Sequence, residues 1–549
     1  MTTTPAHPAY KLLLEKYEFV IPLALFIIFL AITLPGISWG GLNGWHPDEI
    51  VVRSIKALHG QWKFDEINFD YPSLPQYVMF GLGKIILGMG YTDLEVLIAS
   101  RVLSAILAGL MIVLSYFITR RITNNIYTSG LSGLLLLSVS EMTHNGRFAH
   151  NDTYITFFVA LTILFLVNYK ITYRRGWLYA SFISIGMAAS SKYNGITLVL
   201  VPIALYLSSQ RHSFLKRPLR ILETLFIGGV LTFLGYAVGT PKSFFWMTYY
   251  FKRMIPALLH TGNYARQPDS VRGILGQYGS FENGVGLPLS ILFAGAFLWT
   301  GYRLFLSYRS RTANKDSRTG FLAILLLSIL ALDLPILVSY NYPTRFFLSM
   351  MPIFAVLSVL FIDDLYQQIK FRKNIQYHRF ANLALAFVIL FSFARNISVM
   401  LLFLHDARIP ASEFIKNLPI ETSLEHTFYP PAIPLEHFER EHNYPIFFSK
   451  TLGGTTPTNK KYIYNAGEAG LDDRLTDYLV VDNFTADKLN DPYVCQSMQI
   501  ECDFFKQLAS GQSKHYKLLA EFSYSLPPYL PSLKISFVNP EIHIYERLK

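Results

Sequence analysis

"LALFIIFLAITLPGISWGGLNGWHPDEIVV", residues 23 to 52, runs from an unbroken apolar stretch straight into two adjacent carboxylates, Asp48 and Glu49. Such a run is either a buried core helix or a helix in lipid, and the rest of the chain decides between them. Of 549 residues 52% are hydrophobic and 15% charged, and the mean hydropathy is +0.31. Soluble domains carry about a quarter charged residues. The sequence therefore predicts a polytopic, mostly α membrane protein.

A helix needs roughly 20 residues to cross the hydrocarbon core. Apolar runs fall at 19–37, 97–119, 126–142, 152–169, 177–190, 195–209, 221–239, 286–306, 320–339, 346–362 and 381–404, which makes about eleven transmembrane helices. The fifth and sixth are short, because "SSKYNG" at 190–195 interrupts them; they read as one tilted helix or two shorter ones. Lys and Arg residues concentrate in alternate short loops: Arg120 and Arg121; Lys170, Arg174 and Arg175; Arg211 to Arg220; Arg303 to Arg318; Lys370 to Arg379. The opposite loops hold Arg147, Lys192 and Arg345, a bias of about eighteen to three that predicts a cytoplasmic N-terminus. Loops 38–96 and 240–285 and the tail 405–549 then face outside. The net charge of +11 reflects this asymmetry and implies no nucleic-acid partner. The first run lacks a small-residue cleavage site and reads as a retained helix.

The predicted organisation is a transmembrane module, 1–404, and a small extracytoplasmic α/β domain, 405–549. In the tail "ASEFIKNLP" has helical spacing, and "DYLVVDNF" and "EIHIYERL" read as strands. "HTFYPPAIPLEHF" and "TLGGTTPTNKK" read as loops. Cys495 and Cys502, the two cysteines, both lie in the tail, either as free thiols or as a disulfide.

The chemistry concentrates in the first exported loop. Asp48 and Glu49 are placed to cap a short amphipathic helix, "DEIVVRSIKALHG", at the positive end of its dipole. Capping leaves unexplained a third acidic position, Asp70, in the aromatic, proline-punctuated "QWKFDEINFDYPSLPQYV". "HPDE" at 46–49 followed by "FDYPSLPQY" at 69–77 resembles the polyprenyl-phosphate-dependent glycosyltransferases of the GT-C fold, which include the protein O-mannosyltransferases and the lipid A aminoarabinose transferases, a glycosyltransferase family 39-like pattern. Ser73 stands where that family has a second proline. "GRFAHND" at 146–152, "SKYNG" at 191–195, "NYPTRFFLSMMP" at 341–352 and "DARIPASEFIKNLP" at 406–419 continue the resemblance in order.

The resemblance implies a polyprenyl-phosphate (or dolichyl-phosphate) sugar donor and a hydroxyl acceptor on protein, lipid or glycan, with membrane lipids around both. A hydroxyl is a poor nucleophile until a carboxylate withdraws its proton, and a single displacement needs one such base opposite the leaving group. Asp48 is the candidate base. Glu49, Asp70 and Asp152 are expected to position the sugar, the acceptor or one another, and Arg147 and Tyr193 belong to the same matched motifs. Lys192 and Arg345 are the cations expected for the leaving phosphate, Arg345 with the planar fork that can take two oxygens; snorkelling to the headgroups is the competing reading for each. The loop at 240–285 is expected to lie on the membrane as an amphipathic helix and, by the resemblance, to dock the lipid carrier, with Arg253 and His260 as contacts. His46, His150 and His260 leave room for a divalent metal, although no spacing marks a dedicated site. A different class of function, a transporter or flippase of lipid-linked sugars, predicts acidic residues deep in helices, of which Asp333 is the main candidate; a catalytically inactive scaffold is a third reading.

Overall fold

The computed structural model describes residues 18–210, 218–262, 274–309, 317–337, 343–371, 375–434, 436, 438, 476–492, 495 and 499–548. The chain divides into two compact units, Met1–Ile37 with Asp48–Ile397, and Ser38–Pro47 with Ser398–Lys549.

The first unit is helical. Seven segments among the described residues are long and apolar enough to cross a membrane: Asp93–Thr123, Asn151–Thr172, Pro218–Gly239, Leu287–Arg309, Arg318–Leu337, Thr344–Gln368 and Gln376–Lys416. The other four expected spans are apolar helices too short to qualify by themselves: Val20–Thr33, Ile126–Leu137, Tyr193–Ser209 and the 17-residue Arg175–Ser191. The protein is thus a multi-pass membrane protein. Local chemistry sets the helix ends. Thr92 and Glu95 form a reciprocal capping box at the start of Asp93–Thr123, and Asn124 ends that helix in the left-handed region at φ 50°. Asn125 then caps the next helix by accepting from Tyr127 N. Thr344–Gln368 is the innermost span, with 83% of its apolar window buried. Arg175–Ser191 and Pro218–Gly239 approach closely because Gly186 and Gly235 carry no side chain; a Cβ on Gly186 would meet Thr232 O at 2.1 Å.

The loop after the first apolar helix departs from the expected cap. Its helix is Val51–Leu58, with no acidic residue in the first turn and no side-chain cap at Ile50. Asp48 and Glu49 precede it and face other partners.

The second unit holds a four-stranded sheet of order β1-β2-β4-β3: β1 (Leu424–His426), β2 (Tyr478–Asp482), β3 (Tyr516–Phe522) and β4 (Ile542–Arg547). β1 pairs parallel with β2, and the other pairings are antiparallel. β2 is buried along its length. Tyr478 and Val480 pack with Ala411 and Ile415 of the Arg408–Lys416 helix, while Leu479 and Val481 pack with Phe504 and Phe505 of the Gln499–Ala509 helix. Burial on both faces explains why "YLVV" is apolar without alternation. Cys495 and Cys502 are joined as a disulfide. Ser38–Pro47 belongs to this unit through a buried polar staple. Trp39 Nε1 donates to Asp406 Oδ2 at 2.9 Å, Arg408 Nη2 donates to the same carboxylate at 2.8 Å, and the Arg408 guanidinium lies over the Trp39 and Trp45 rings at 5.0 and 4.3 Å. "TLGGTTPTNKK" lies outside the described residues.

Candidate active site

Four of the sequence-selected residues meet in one ion-paired cluster. Arg345, in the 3-10 turn Thr344–Met350, donates from Nη2 to Asp48 Oδ2 at 2.7 Å, and its Nε lies 3.7 Å from Asp152 Oδ2. Asp152 Oδ1 accepts from Lys192 Nζ at 2.6 Å. Sharing Arg345 brings Asp48 and Asp152 within reach of one substrate. Each position follows from a break in regular structure. Lys192 is the extended residue (φ −154°, ψ 131°) between the Arg175–Ser191 helix and the 3-10 turn Tyr193–Val199, the very interruption at "SSKYNG". Asp152 stands in the first turn of Asn151–Thr172, the favourable end of the helix dipole for an anion. Thr344 Oγ1 donates to Glu141 Oε1 at 2.8 Å, which anchors the turn that carries Arg345.

Lys192 does not snorkel. Its Nζ faces Asp152 and lies 4.3 Å from the centroid of the Phe346 ring. His150 is a further member: its Nδ1 lies 2.8 Å from Asp152 Oδ2. Nδ1 is also 3.3 Å from Asp152 N, but one ring nitrogen cannot both donate and accept, and the shorter contact places the proton on Nδ1. The sequence offered His150 only as an imidazole ligand; its position two residues before a helical Asp is the signal for this role.

Other sequence-selected residues brace the cluster. Glu49 is 6% exposed and fully engaged. Its Oε1 accepts from Arg101 Nε at 2.7 Å and Ala149 N at 3.0 Å, and its Oε2 accepts from Arg101 Nη2 at 2.8 Å. Ile50 N donates to Ala149 O at 3.2 Å, so residues 49–50 are laid against 149, beside His150. Arg147 is buried and donates to Pro35 O, and to Ile32 O at 2.6 Å, closing carbonyls at the end of the Val20–Thr33 helix. Tyr193 donates to Phe69 O at 3.0 Å and thereby holds the loop. These contacts of Glu49, Arg147 and Tyr193 are all to protein groups.

Asp70 is exposed, and its backbone N–H donates to Asn68 Oδ1 at 2.7 Å; no ion pair among the described residues joins it to the cluster. Arg253 is exposed and stacks over Tyr249 of its own helix at 5.6 Å. The His260 side chain and Arg266 lie outside the described residues. Lys242, from the 240–285 loop, clamps the 38–96 loop by donating to Phe64 O at 2.5 Å and Glu66 Oε1 at 2.6 Å. Between them, buried Asp65 accepts from Ser73. Burial pushes the Asp65 carboxyl up to about 6, against the Ser73 bond and Lys242, which pull it down.

Among the described residues no group of three His, Cys, Asp or Glu side chains is arranged to hold a metal ion. Asp48 and Asp152 are engaged by Arg345, Lys192 and His150, which does not fit a divalent cation without displacing them. His46 belongs to the other unit, edge-on to Phe537 at 5.1 Å. No ion pair among the described residues joins Asp333 to the cluster.

A partly buried cationic and acidic cluster stands at irregular helix ends of the multi-pass unit, in a chain that also carries a small α/β unit. The archaeal oligosaccharyltransferase AglB from Archaeoglobus fulgidus, solved with an inhibitory peptide and a dolichol-phosphate, superimposes with a TM-score of 0.51 over 90% of this chain and 72% of its own, at 12% identity. The fold is GT-C. Within it, residues 84–230 match the family model "Dolichyl-phosphate-mannose-protein mannosyltransferase", a stretch that contains Asp152 and Lys192. Two proteins of Pseudomonas fluorescens strains, undecaprenyl phosphate-alpha-4-amino-4-deoxy-L-arabinose arabinosyl transferases 1 and 2, are each 27% identical, over 233 and 198 residues. These alignments cover 41% and 35% of this chain, which spans 40% and 34% of those relatives' lengths.

Proposed function

We propose that the protein is an integral-membrane glycosyltransferase that moves a sugar from a polyprenyl-phosphate donor to a hydroxyl acceptor on the extracytoplasmic face. The observation that carries this reading is the Asp48–Arg345–Asp152–Lys192 cluster. It offers one carboxylate for a proton and two cations for a phosphate, and it is built on the exported loop and the helix ends of one unit. The family match and the two arabinosyl transferase relatives support the donor class.

In the proposed reaction the acceptor oxygen attacks the anomeric carbon while Asp48 takes its proton. The bond from that carbon to the phosphate oxygen breaks, and its electron pair stays on the phosphate. Arg345 couples the two events. Asp48 holds it at 2.7 Å as a carboxylate, and the arriving proton cancels that attraction as negative charge grows on the phosphate, so the guanidinium is released toward the new charge. Asp152 keeps Lys192 and Arg345 together against their mutual repulsion.

The test is transfer of label from polyprenyl-phosphate sugars to crude acceptors, by detergent-purified wild type beside Asp48→Asn of the same elution profile. Asp48→Asn is expected to bind donor and to lose transfer by roughly 10²- to 10⁴-fold. Equal transfer by both proteins removes Asp48 as the base. Donor translocation by the wild type without transfer favours the transporter reading.

A further inference from the structure

Tyr71 stands among the charged groups of the cluster with its hydroxyl unclaimed. Its ring is packed edge-on to His150 at 5.7 Å, and the Arg53 guanidinium lies 5.5 Å from its centroid. Arg53 is itself stacked on Trp62 at 5.4 Å, so the ring is braced by two neighbours. The hydroxyl makes no hydrogen bond among the described residues, although the charges that act on it are those of Asp48, Arg345, Asp152 and Arg53. Burial, reinforced by Asp48, pushes it up to about 12, so it keeps its proton at any working pH and faces the cluster as a donor.

Arg53 supplies the second half of the observation. Its Nη1 is buried without a hydrogen-bond partner, and no carboxylate among the described residues lies within ion-pair distance of it. Arg345 and Lys192 are matched by Asp48 and Asp152, two cations against two anions. Arg53 has no such contact partner, and the carboxylates of Asp70 and Asp48 act on it only from a distance. A half-buried guanidinium with no carboxylate in contact gains from a ligand that brings an anion to it.

We propose that the Tyr71 hydroxyl, on a ring braced by Arg53 and His150, donates a hydrogen bond to the phosphate oxygen from which the sugar departs, with Arg53 as the balancing charge. This rests on the polyprenyl-phosphate donor reading above. The donor is a phosphodiester with one negative charge; the leaving polyprenyl monophosphate approaches two, its second proton leaving near pH ~6. The acceptor proton goes to Asp48, the electron pair of the broken bond goes to the phosphate oxygen, and Tyr71 keeps its proton throughout. A donor aimed at an oxygen that gains charge is worth more in the transition state than in the ground state, so its loss falls on kcat.

Tyr71→Phe tests this directly, because it keeps the ring that packs His150 and Arg53 and removes only the oxygen. Transfer by Tyr71→Phe is expected to fall roughly 10- to 100-fold in kcat with donor KM changed less than about threefold. Inhibition by added polyprenyl phosphate should weaken in the variant above pH ~6, where the product is a dianion, and converge with wild type below it. Arg53→Gln should show the same pH-dependent loss and Arg53→Lys should restore part of it. Wild-type kcat in Tyr71→Phe overturns the proposal. Unchanged kcat with a raised donor KM also overturns it, since the hydroxyl then holds the sugar or lipid in the ground state. A wild type that transfers from no polyprenyl donor defeats the function reading itself, and this inference with it; a wild type that transfers normally beside an unaffected Tyr71→Phe defeats the inference alone.

Discussion

Replacing Glu49 separates support from chemistry at the Asp-Glu pair. Glu49 and Arg101 are 6% and 2% exposed and meet through two hydrogen bonds of 2.7 and 2.8 Å, with Ala149 N–H as a third donor at 3.0 Å. Arg101 Nη1 has Ile37 O at 2.9 Å as a further acceptor. Glu49→Ala deletes three acceptor contacts and leaves a guanidinium buried without its anion, a loss of about 3–5 kcal/mol. Glu49→Gln keeps the Oε1 acceptor but turns an amide N–H toward Arg101, which costs about 1–3 kcal/mol. The double variant Glu49→Met/Arg101→Met buries no charge and should recover most of the Glu49→Ala loss. Thermal unfolding of the detergent-purified proteins should rank them wild type, then Glu49→Gln, then Glu49→Ala, with a midpoint drop on the order of 10 °C for the last. Transfer activity should follow the folded fraction in Glu49→Gln. If Glu49→Gln melts with the wild type yet transfers nothing, Glu49 is a chemical participant and the clamp account is wrong.

Asp65→Asn should expose a pH dependence. The folded-state carboxyl is raised to about 6 from 3.8, so the folded protein holds a proton that the unfolded chain releases, and stability falls as pH rises through that window. The loss reaches up to about 3 kcal/mol above it; Asp65→Asn should match wild type near pH 4 and melt higher at pH 7, and parallel curves would refute this. Arg345→Lys keeps the charge but cannot span Asp48 and Asp152, so transfer should fall roughly 10- to 100-fold in kcat at unchanged fold; wild-type kcat would show that the fork is not used. Reduction, or Cys495→Ser with Cys502→Ser, opens a short ring in the second unit and should cost about 2–3 kcal/mol by chain entropy, read as a lower midpoint on addition of dithiothreitol; an unchanged midpoint would mean that the bond carries no stability there.

The seven long spans were legible because continuous apolar length is a property of sequence alone. The shorter helices were legible as apolar runs but not as to length, since breaks at "SSKYNG" and at Ser138 and Val139 depend on what packs beside them. Lys192 stood out because a charge inside an apolar stretch needs a partner; which partner it takes, Asp152, is a fact of tertiary structure. The partners of Arg147, also a charge at a helix end, are likewise a fact of tertiary structure: its guanidinium donates to carbonyls left open by the Val20–Thr33 helix. Tyr71 and Arg53 gave no signal, because one more Tyr in an aromatic loop and one more Arg on an amphipathic helix are ordinary until they are seen stacked.

The adjacent carboxylates at 48 and 49 show where sequence reasoning stops and why. Side chains on neighbouring residues of an irregular segment point to different sides, so two acids in a row cannot serve one site equally. Which of them faces inward is fixed by the Ile50–Ala149 backbone bond and by the buried Arg101 that pairs with Glu49. With Glu49 locked at three contacts, the backbone at 48 has little freedom, and Asp48 is delivered to Arg345 at 32% exposure, accessible where its neighbour is sealed. On the proposed reading Asp48 is a base that must meet an acceptor arriving from outside, and Glu49 is a clamp that must exclude water. The pair divides these demands, and that division is why an Asp and a Glu, differing by one methylene in reach, are not interchangeable here.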